Sequence, residues 1–460
     1  MRLVVLTLAA ALSVAAPAFA DPVDDVIEAQ MARSHIPGAA VAVVEHGKVV
    51  KLRGYGKANL EWDTAVDSDT TFQIASATKL FTGIVLMRLV ERGALSLDDP
   101  LTKYYPDGPE SWRGIRVGQL ANHTSGLTQG FGANSQFATF EEFLAATKPL
   151  PLVHEPGARS LYGLADTILL QNILEKVSGK PLPTLFADEI FKPLGLTHTG
   201  FNQAVNRGVV RWADPLPKRA SVYAWEGGEQ HISDGLYRQI TYAAGGLFSS
   251  AGDLAKLFAA IDEGQLLKPE SLRLIETPPT LTDGSKGGFG VAWTTRTYRG
   301  VPIVGHSGGP ALADVVRSED RKLTIIVLTN QHRFHPLLAE SVADVYLPAG
   351  PRAKVVRDRQ PALTATVTKI LTSAATDKVD PALFTEAGAK EMLPFLGEMR
   401  GTLLTAVGPL KSAELIEDGI KDGKVWRKYR IAFESRELFW RLTAEKDGKV
   451  VELIPVGEAD

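Results

Sequence analysis

The run Gly38-Ala39-Ala40-Val41-Ala42-Val43-Val44 carries no polar side chain, and Lys48-Val49-Val50-Lys51-Leu52-Arg53 follows it after Glu45-His46-Gly47. Two β-prone runs around a Gly-containing turn predict a hairpin. Side chains alternate across a strand, so a strand that is apolar at every position has two faces to bury. Its first strand is therefore central in a sheet covered on both sides. A short amphipathic helix is expected over Val23 to His35. A second, strongly apolar helix runs through Gly83-Ile84-Val85-Leu86-Met87-Arg88-Leu89-Val90 to a stop at Gly93. Further on, Gly287 to Trp293, Val301 to His306, Ala313 to Arg317 and Leu323 to Leu328 read as strands separated by turn residues, and these close the same sheet.

A chain of 460 residues exceeds one ordinary domain. The second part is expected after Leu347-Pro348-Ala349-Gly350-Pro351 and Arg357-Asp358-Arg359-Gln360-Pro361, which read as a linker over 349–361. Helical patterns over Thr364–Ala374 and Glu386–Leu396 come next. Four β runs follow: Ala413–Ile416, Val425–Phe433, Leu438–Leu442 and Val450–Pro455. The hairpin turn Lys446-Asp447-Gly448-Lys449 precedes the last of them. Residues 362–460 thus read as a small α+β accessory domain without a catalytic motif. At the other end, Met1-Arg2, an apolar run from Leu3 to Ala16 and Ala18-Phe19-Ala20 form a secretory signal over residues 1–20, with cleavage after Ala20. The run is short for a membrane span and no lipidatable cysteine follows it, so no stable anchor and an exported, periplasmic chain are expected. A net charge of −3 offers nothing basic enough for nucleic acid, and the absence of cysteine excludes disulfides, a thiol nucleophile and cysteine-bound zinc.

The chemistry centres on Gln73-Ile74-Ala75-Ser76-Ala77-Thr78-Lys79. Ser76 falls in or just before the first turn of the apolar helix, and positions i and i+3 share a face. The Lys79 amine can then stand beside the Ser76 hydroxyl in an apolar surround, which disfavours a charged amine. Free N–H groups at the helix start would stabilise an oxyanion. Taken alone, Ser-x-x-Lys is a weak signal that an N-cap serine and a solvated lysine also satisfy. Asp98 and Asp99 beside Pro100 read as turn and capping residues, and His123 in Asn122-His123-Thr124-Ser125-Gly126 as a loop-fixing residue. His332 and His335 lack a third ligand in sequence and no Gly-rich phosphate loop follows a strand, so no metal and no cofactor are expected.

Five segments in order carry a resemblance: Ser76-x-x-Lys79; His123 to Leu127; Pro156-Gly157 to Tyr162; Gly245 to Leu254; and Gly305-His306-Ser307-Gly308-Gly309. Over about residues 22–348 the chain resembles the β-lactamase-related serine hydrolases, which include class C β-lactamases, D-alanyl-D-alanine carboxypeptidases and related esterases. The resemblance implies a β-lactamase/transpeptidase-like fold of the α/β (α+β) class, covering 21–348. It has an antiparallel sheet of five or more strands flanked by helices and an all-helical region, with the active site between them. It further implies Ser76 as nucleophile, Lys79 as its partner amine and Tyr162 as the proton relay. His306-Ser307-Gly308 would form the strand edging the site. Small residues there would let a substrate backbone lie alongside, and the Gly309 N–H could join that of Ser76 as an oxyanion hole.

One position departs from the pattern. The family has Tyr-x-Asn, and this chain has Tyr162-Gly163-Leu164. Leu164 would face the acyl side chain and can neither donate nor accept a hydrogen bond. The expected function is an exported serine hydrolase acting through an acyl-enzyme on a small-molecule or peptide substrate: an ester, a D-amino-acid peptide or a β-lactam. Peptidase or esterase action is favoured over a dedicated β-lactamase because of Leu164. A penicillin-binding-type recognition protein without turnover is the alternative of a different class, and the oligomeric state is left open.

Overall fold

A computed structural model of the chain describes residues 21–457, except 130–136, 203, 208–209, 234, 236, 310–311, 333–337, 349 and 351. The expected signal segment 1–20 and His335 lie outside the described residues.

A seven-stranded antiparallel sheet comprises β1 (Gly38–Glu45), β2 (Lys48–Asn59), β3 (Thr64–Ala65), β4 (Thr294–Tyr298), β5 (Val301–Gly308), β6 (Ala313–Ser318) and β7 (Leu323–Thr329), in the order β4-β5-β6-β7-β1-β2-β3. β1 sits inside this sheet, paired with β7 on one side (Val41 opposite Val327) and β2 on the other (Val41 opposite Arg53). Its alternate residues serve two cores. Ala40, Ala42 and Val44 join the large one together with Ile326 and Leu328, whereas Ala39, Val41 and Val43 join a smaller one with Ile325 and Val327. The unbroken apolar run is thus a strand buried on both faces, and each fully buried Val contributes about 1.5–3 kcal/mol relative to an exposed one.

Among the helices packed around this sheet are α1 (Pro22–Ser34), α2 (Thr78–Glu91), α3 (Leu164–Ser178), α4 (Ala251–Asp262) and α5 (Leu338–Tyr346). α1 and α5 supply the smaller core through Val23, Ile27, Leu338 and Val342. The larger core takes Leu80, Phe81, Ile84 and Leu86 of α2 together with residues of α3 and α4. From Thr78 to Met87 every residue of α2 is buried, so this is an interior helix, covered all round, rather than a surface one. Trp293 Nε1 donates to the Leu80 carbonyl at 3.0 Å and closes one side of it. Among the described residues no helix is long and apolar enough to cross a membrane.

One expectation needs correction. Gly287 to Trp293 is a series of bends with one isolated bridge, Phe289 to Thr294, and the strand begins only at Thr294. Ala292 has φ 65°, and a Cβ on Gly290 would lie 1.9 Å from the Ile275 carbonyl oxygen, so this backbone is wedged against a neighbouring helix instead of pairing. The segment from Leu182 is α-helical to Phe186, and a π turn takes over from Ala187 to Phe191.

Beyond residue 360 the chain forms α6 (Pro361–Ala374) and α7 (Glu386–Met399), then a four-stranded meander of β8 (Leu410–Lys421), β9 (Lys424–Phe433), β10 (Glu437–Ala444) and β11 (Val450–Val456). Tyr429, Ile431 and Phe433 of β9 point into a third core shared with Val367 and Ile370 of α6, and all its residues lie between Leu363 and Leu453. The preceding stretch is strapped to the meander: Val356 N donates to Leu415 O (2.9 Å), Arg430 to Ala353 O (3.1 Å), and Arg427 pairs with Asp358 (3.0 Å).

Candidate active site

The chain enters α2 through a strained turn. After the two-residue strand Phe72–Gln73 come Ile74 and a single 3-10 turn, Ala75–Ala77, that holds Ser76. Ala75 has φ 43°, a left-handed value that costs a non-glycine residue about 1–2 kcal/mol. Local bonds hold it there. The Thr78 hydroxyl donates to Ala75 O at 2.7 Å and accepts the Leu247 N–H at 3.1 Å, while Ile74 N donates to Leu247 O at 3.0 Å. The result is a serine half-exposed at the mouth of a buried helix.

Lys79 stands one turn further on and is only 3% exposed. Its Nζ donates to Tyr162 OH at 2.7 Å and to Ala244 O at 2.8 Å, and lies 3.4 Å from Ser76 Oγ. The Tyr162 hydroxyl in turn donates to Ser76 Oγ at 2.9 Å. Three groups named from the sequence therefore meet in one triangle, with the phenol oxygen in contact with both the amine and the hydroxyl.

β5 forms the opposite wall. A Cβ on Gly308 would fall 1.8 Å from the Ile74 carbonyl oxygen, so the strand end lies directly against the nucleophile turn and only glycine fits. His306 is buried, its ring 5.8 Å from that of Tyr162. Its Nδ1 meets Ser307 O at 2.6 Å, and since a carbonyl only accepts, the proton sits on Nδ1. Burial, and next to it the charge of Lys79, pushes the His306 pKa down to about 3, so the ring is neutral at ordinary pH. Among the described residues nothing pairs with its buried Nε2.

The Beta-lactamase family model matches residues 23–346. The chain belongs to the β-lactamase family. That family consists of serine hydrolases, and the observed architecture is its β-lactamase/transpeptidase-like fold. Protein Rv1367c of Mycobacterium tuberculosis is 29% identical over 292 residues, 55% of this chain and 70% of its own length. Protein flp of Staphylococcus aureus is 31% identical over 189 residues, and this chain spans only 38% of its length. Among solved structures, the octameric penicillin-binding protein homologue from Pyrococcus abyssi superposes with a TM-score of 0.61 at 23% identity, over 94% of this chain and 98% of that one. The D-amino acid amidase of Ochrobactrum anthropi SV3 does so with a TM-score of 0.55 at 21% identity, over 69% and 93%.

Beside the triangle of this β-lactamase family member stand Phe289 and Gln129, two side chains that no local sequence pattern marks as catalytic. Phe289 stacks on Tyr162 (centroids 5.5 Å, interplanar 15°). Gln129 lies over Gly163, where a Cβ would meet its Oε1 at 2.1 Å, and that oxygen accepts the Ala165 N–H at 3.0 Å. Leu164 opens α3 and is half-buried, packed against the large core. Ser307 and Gly309 follow His306 along the wall, Ser307 opposite Asp314 of β6, and Gly309 is exposed. Asp99 behaves as a turn residue, accepting from Ser96 N (2.9 Å) and Lys103 (2.8 Å). His332 contacts the Ser233 hydroxyl at 3.1 Å.

Proposed function

We propose that the chain is an exported serine hydrolase that opens amide or ester bonds through an acyl-enzyme on Ser76. The observation that carries this reading is the Ser76, Lys79 and Tyr162 triangle, with contacts of 2.7, 2.9 and 3.4 Å. Ser76 Oγ bonds to the substrate carbonyl carbon while its proton passes to the Tyr162 and Lys79 pair. The carbonyl oxygen takes negative charge against the N–H groups of Ser76 and Gly309. Collapse expels the amine or alcohol, which takes the proton from the pair. Water then attacks the acyl ester, the pair receives its proton, and Ser76 recovers its hydroxyl as the acid leaves.

Esters and amides are favoured over β-lactams on two grounds. Leu164 cannot bond an acylamino group, and neutral His306 brings no positive charge to this wall to pair with a substrate carboxylate. An amide without a free carboxylate, of the kind named for the Ochrobactrum amidase, fits this chemistry. The test is intact-mass labelling with a fluorophosphonate and turnover of nitrophenyl esters and D-amino acid amides. Wild type should gain one adduct on Ser76. Ser76→Ala should fold, lose the adduct and lose acyl transfer, a change of several kcal/mol in transition-state stabilisation, with Lys79→Ala nearly as damaging. Ester turnover near the wild-type rate in Ser76→Ala would overturn the reading.

A further inference from the structure

Behind Tyr162 lies a pair of buried ionisable groups that the chemistry above does not use. His123 is 2% exposed and Asp166 fully buried, and His123 Nδ1 meets Asp166 Oδ2 at 3.0 Å. The second carboxylate oxygen accepts from the Ser125 hydroxyl. Burying a carboxylate and an imidazole is expensive unless they satisfy each other, and an apolar pair would hold a loop at less cost.

The placement of the pair indicates its use. Tyr162 is 44% exposed and precedes α3, so little on its outer side holds it. Its inner side rests on His123 in two ways. Leu161 N donates to the His123 carbonyl at 2.8 Å, and the His123 ring meets the Tyr162 ring edge-on at 4.8 Å and 63°. The same imidazole meets Phe289, the ring stacked on Tyr162, at 4.9 Å and 75°. Asp166 stands in the first turn of α3, four residues after Tyr162, so its bond to His123 ties the helix start to the turn beneath the phenol. His123 itself has φ 58°, an uncommon value for a side-chain-bearing residue that its surroundings must sustain.

We infer that His123, oriented by Asp166, is a positioning residue for Tyr162: its ring sets the height and tilt of the phenol so that one oxygen reaches both Lys79 Nζ and Ser76 Oγ. The inference rests on the proposed role of the triangle. Without the imidazole the Tyr162 ring can sink toward the vacated space, and a displacement on the order of 1 Å costs about a hundredfold in rate.

The experiment uses the full chain, with His123→Asn, which keeps a donor for Asp166 but removes the ring, and Asp166→Asn, which keeps the ring but loosens its hold. Each is made alone and in a Tyr162→Phe background. For nitrophenyl ester turnover, His123→Asn should lower kcat about tenfold to a hundredfold with KM within about twofold, and Asp166→Asn should show a smaller loss of the same kind. In the Tyr162→Phe background neither substitution should lower kcat further, because the group they position is gone. An unchanged kcat in a folded variant, or a full additional loss on top of Tyr162→Phe, overturns the inference. If His123→Asn does not fold, the Asp166→Asn pair decides by the same criteria. Fluorophosphonate labelling of wild type separates the two levels. No adduct on Ser76 refutes the triangle, whereas a labelled enzyme indifferent to His123 and Asp166 refutes only the positioning.

Discussion

His306 is a buried base whose proton would be costly at acid pH. Its folded pKa of about 3 lies below the ordinary 6.5, because burial and then the Lys79 charge disfavour the imidazolium. An unfolded chain therefore binds a proton that the folded one refuses. The neutral ring's contribution is fully present above pH 6.5 and is lost as pH falls toward 3, reaching about 3 kcal/mol by pH 4. Thermal denaturation from pH 7 to 4 should show a shallower decline of Tm in His306→Gln than in wild type, and parallel declines would place the acid sensitivity elsewhere. Leu164 poses a question of specificity. An unmet buried amide costs about 1–3 kcal/mol, so Leu164→Asn should move the ratio of cephalosporin to nitrophenyl ester turnover toward the cephalosporin by about tenfold. The half-buried leucine packs on the large core, so some stability is lost as well. An unchanged ratio would mean that Leu164 faces away from the acyl group and would make Gln129, whose amide lies over Gly163, the next amide side chain to test.

The element that most tightly defines the site is the end of β5 against the Ile74–Ala77 turn. On Gly308 a methyl would meet Ile74 O at 1.8 Å and Ile74 C at 2.8 Å, both backbone atoms that cannot swing aside. Gly308→Ala should push the strand off the turn, costing about 1–3 kcal/mol and most of the activity, whereas Gly419→Ala, with open space around it, should cost little. A Gly308→Ala enzyme with wild-type turnover would mean that the strand does not edge the site. β1 was legible because burial on two faces leaves a period-2 strand apolar throughout, and Ser76 with Lys79 because i and i+3 share a helix face. The Gly287–Trp293 stretch misled because its apolar spacing is strand-like while the cause of its bending, the Ile275 carbonyl at Gly290, is packing between segments. Tyr162 came only from the order of motifs, since it meets Ser76 across 86 residues. The contacts of Gln129 and of the His123–Asp166 pair were not legible for a like reason: their partners stand 36 and 43 residues away, and local pattern carries no trace of such pairings.

At the scale of the molecule, one side chain from the C-terminal part reaches into the hydrolase sheet. Arg436, between β9 and β10, donates through Nη2 to Tyr298 OH at 3.0 Å and Glu340 Oε2 at 3.1 Å. The other Glu340 oxygen accepts from Arg296 Nη2 at 2.8 Å, and Arg296 reaches Thr294, whose hydroxyl donates to Gly305 O at 2.8 Å, next to His306. Asp314, on β6 opposite Ser307, lies within the field of the same charges. Burial raises its pKa to about 6, and Arg296 and Arg436 pull against that rise. The sign is the reverse of that for His306. Its folded pKa exceeds the usual 3.8, so the penalty is absent below pH 3.8 and grows as pH rises through about 6. Arg436→Met keeps the packing volume but removes one cation. Breaking the buried pair should cost about 3–5 kcal/mol, and with less positive charge nearby Asp314 should resist ionisation further. The Tm difference between wild type and Arg436→Met should therefore widen from pH 5 to pH 8. A constant difference would mean that Asp314 does not sense Arg436. No difference at either pH would mean that the C-terminal part rests on the sheet without being tied to it by this side chain.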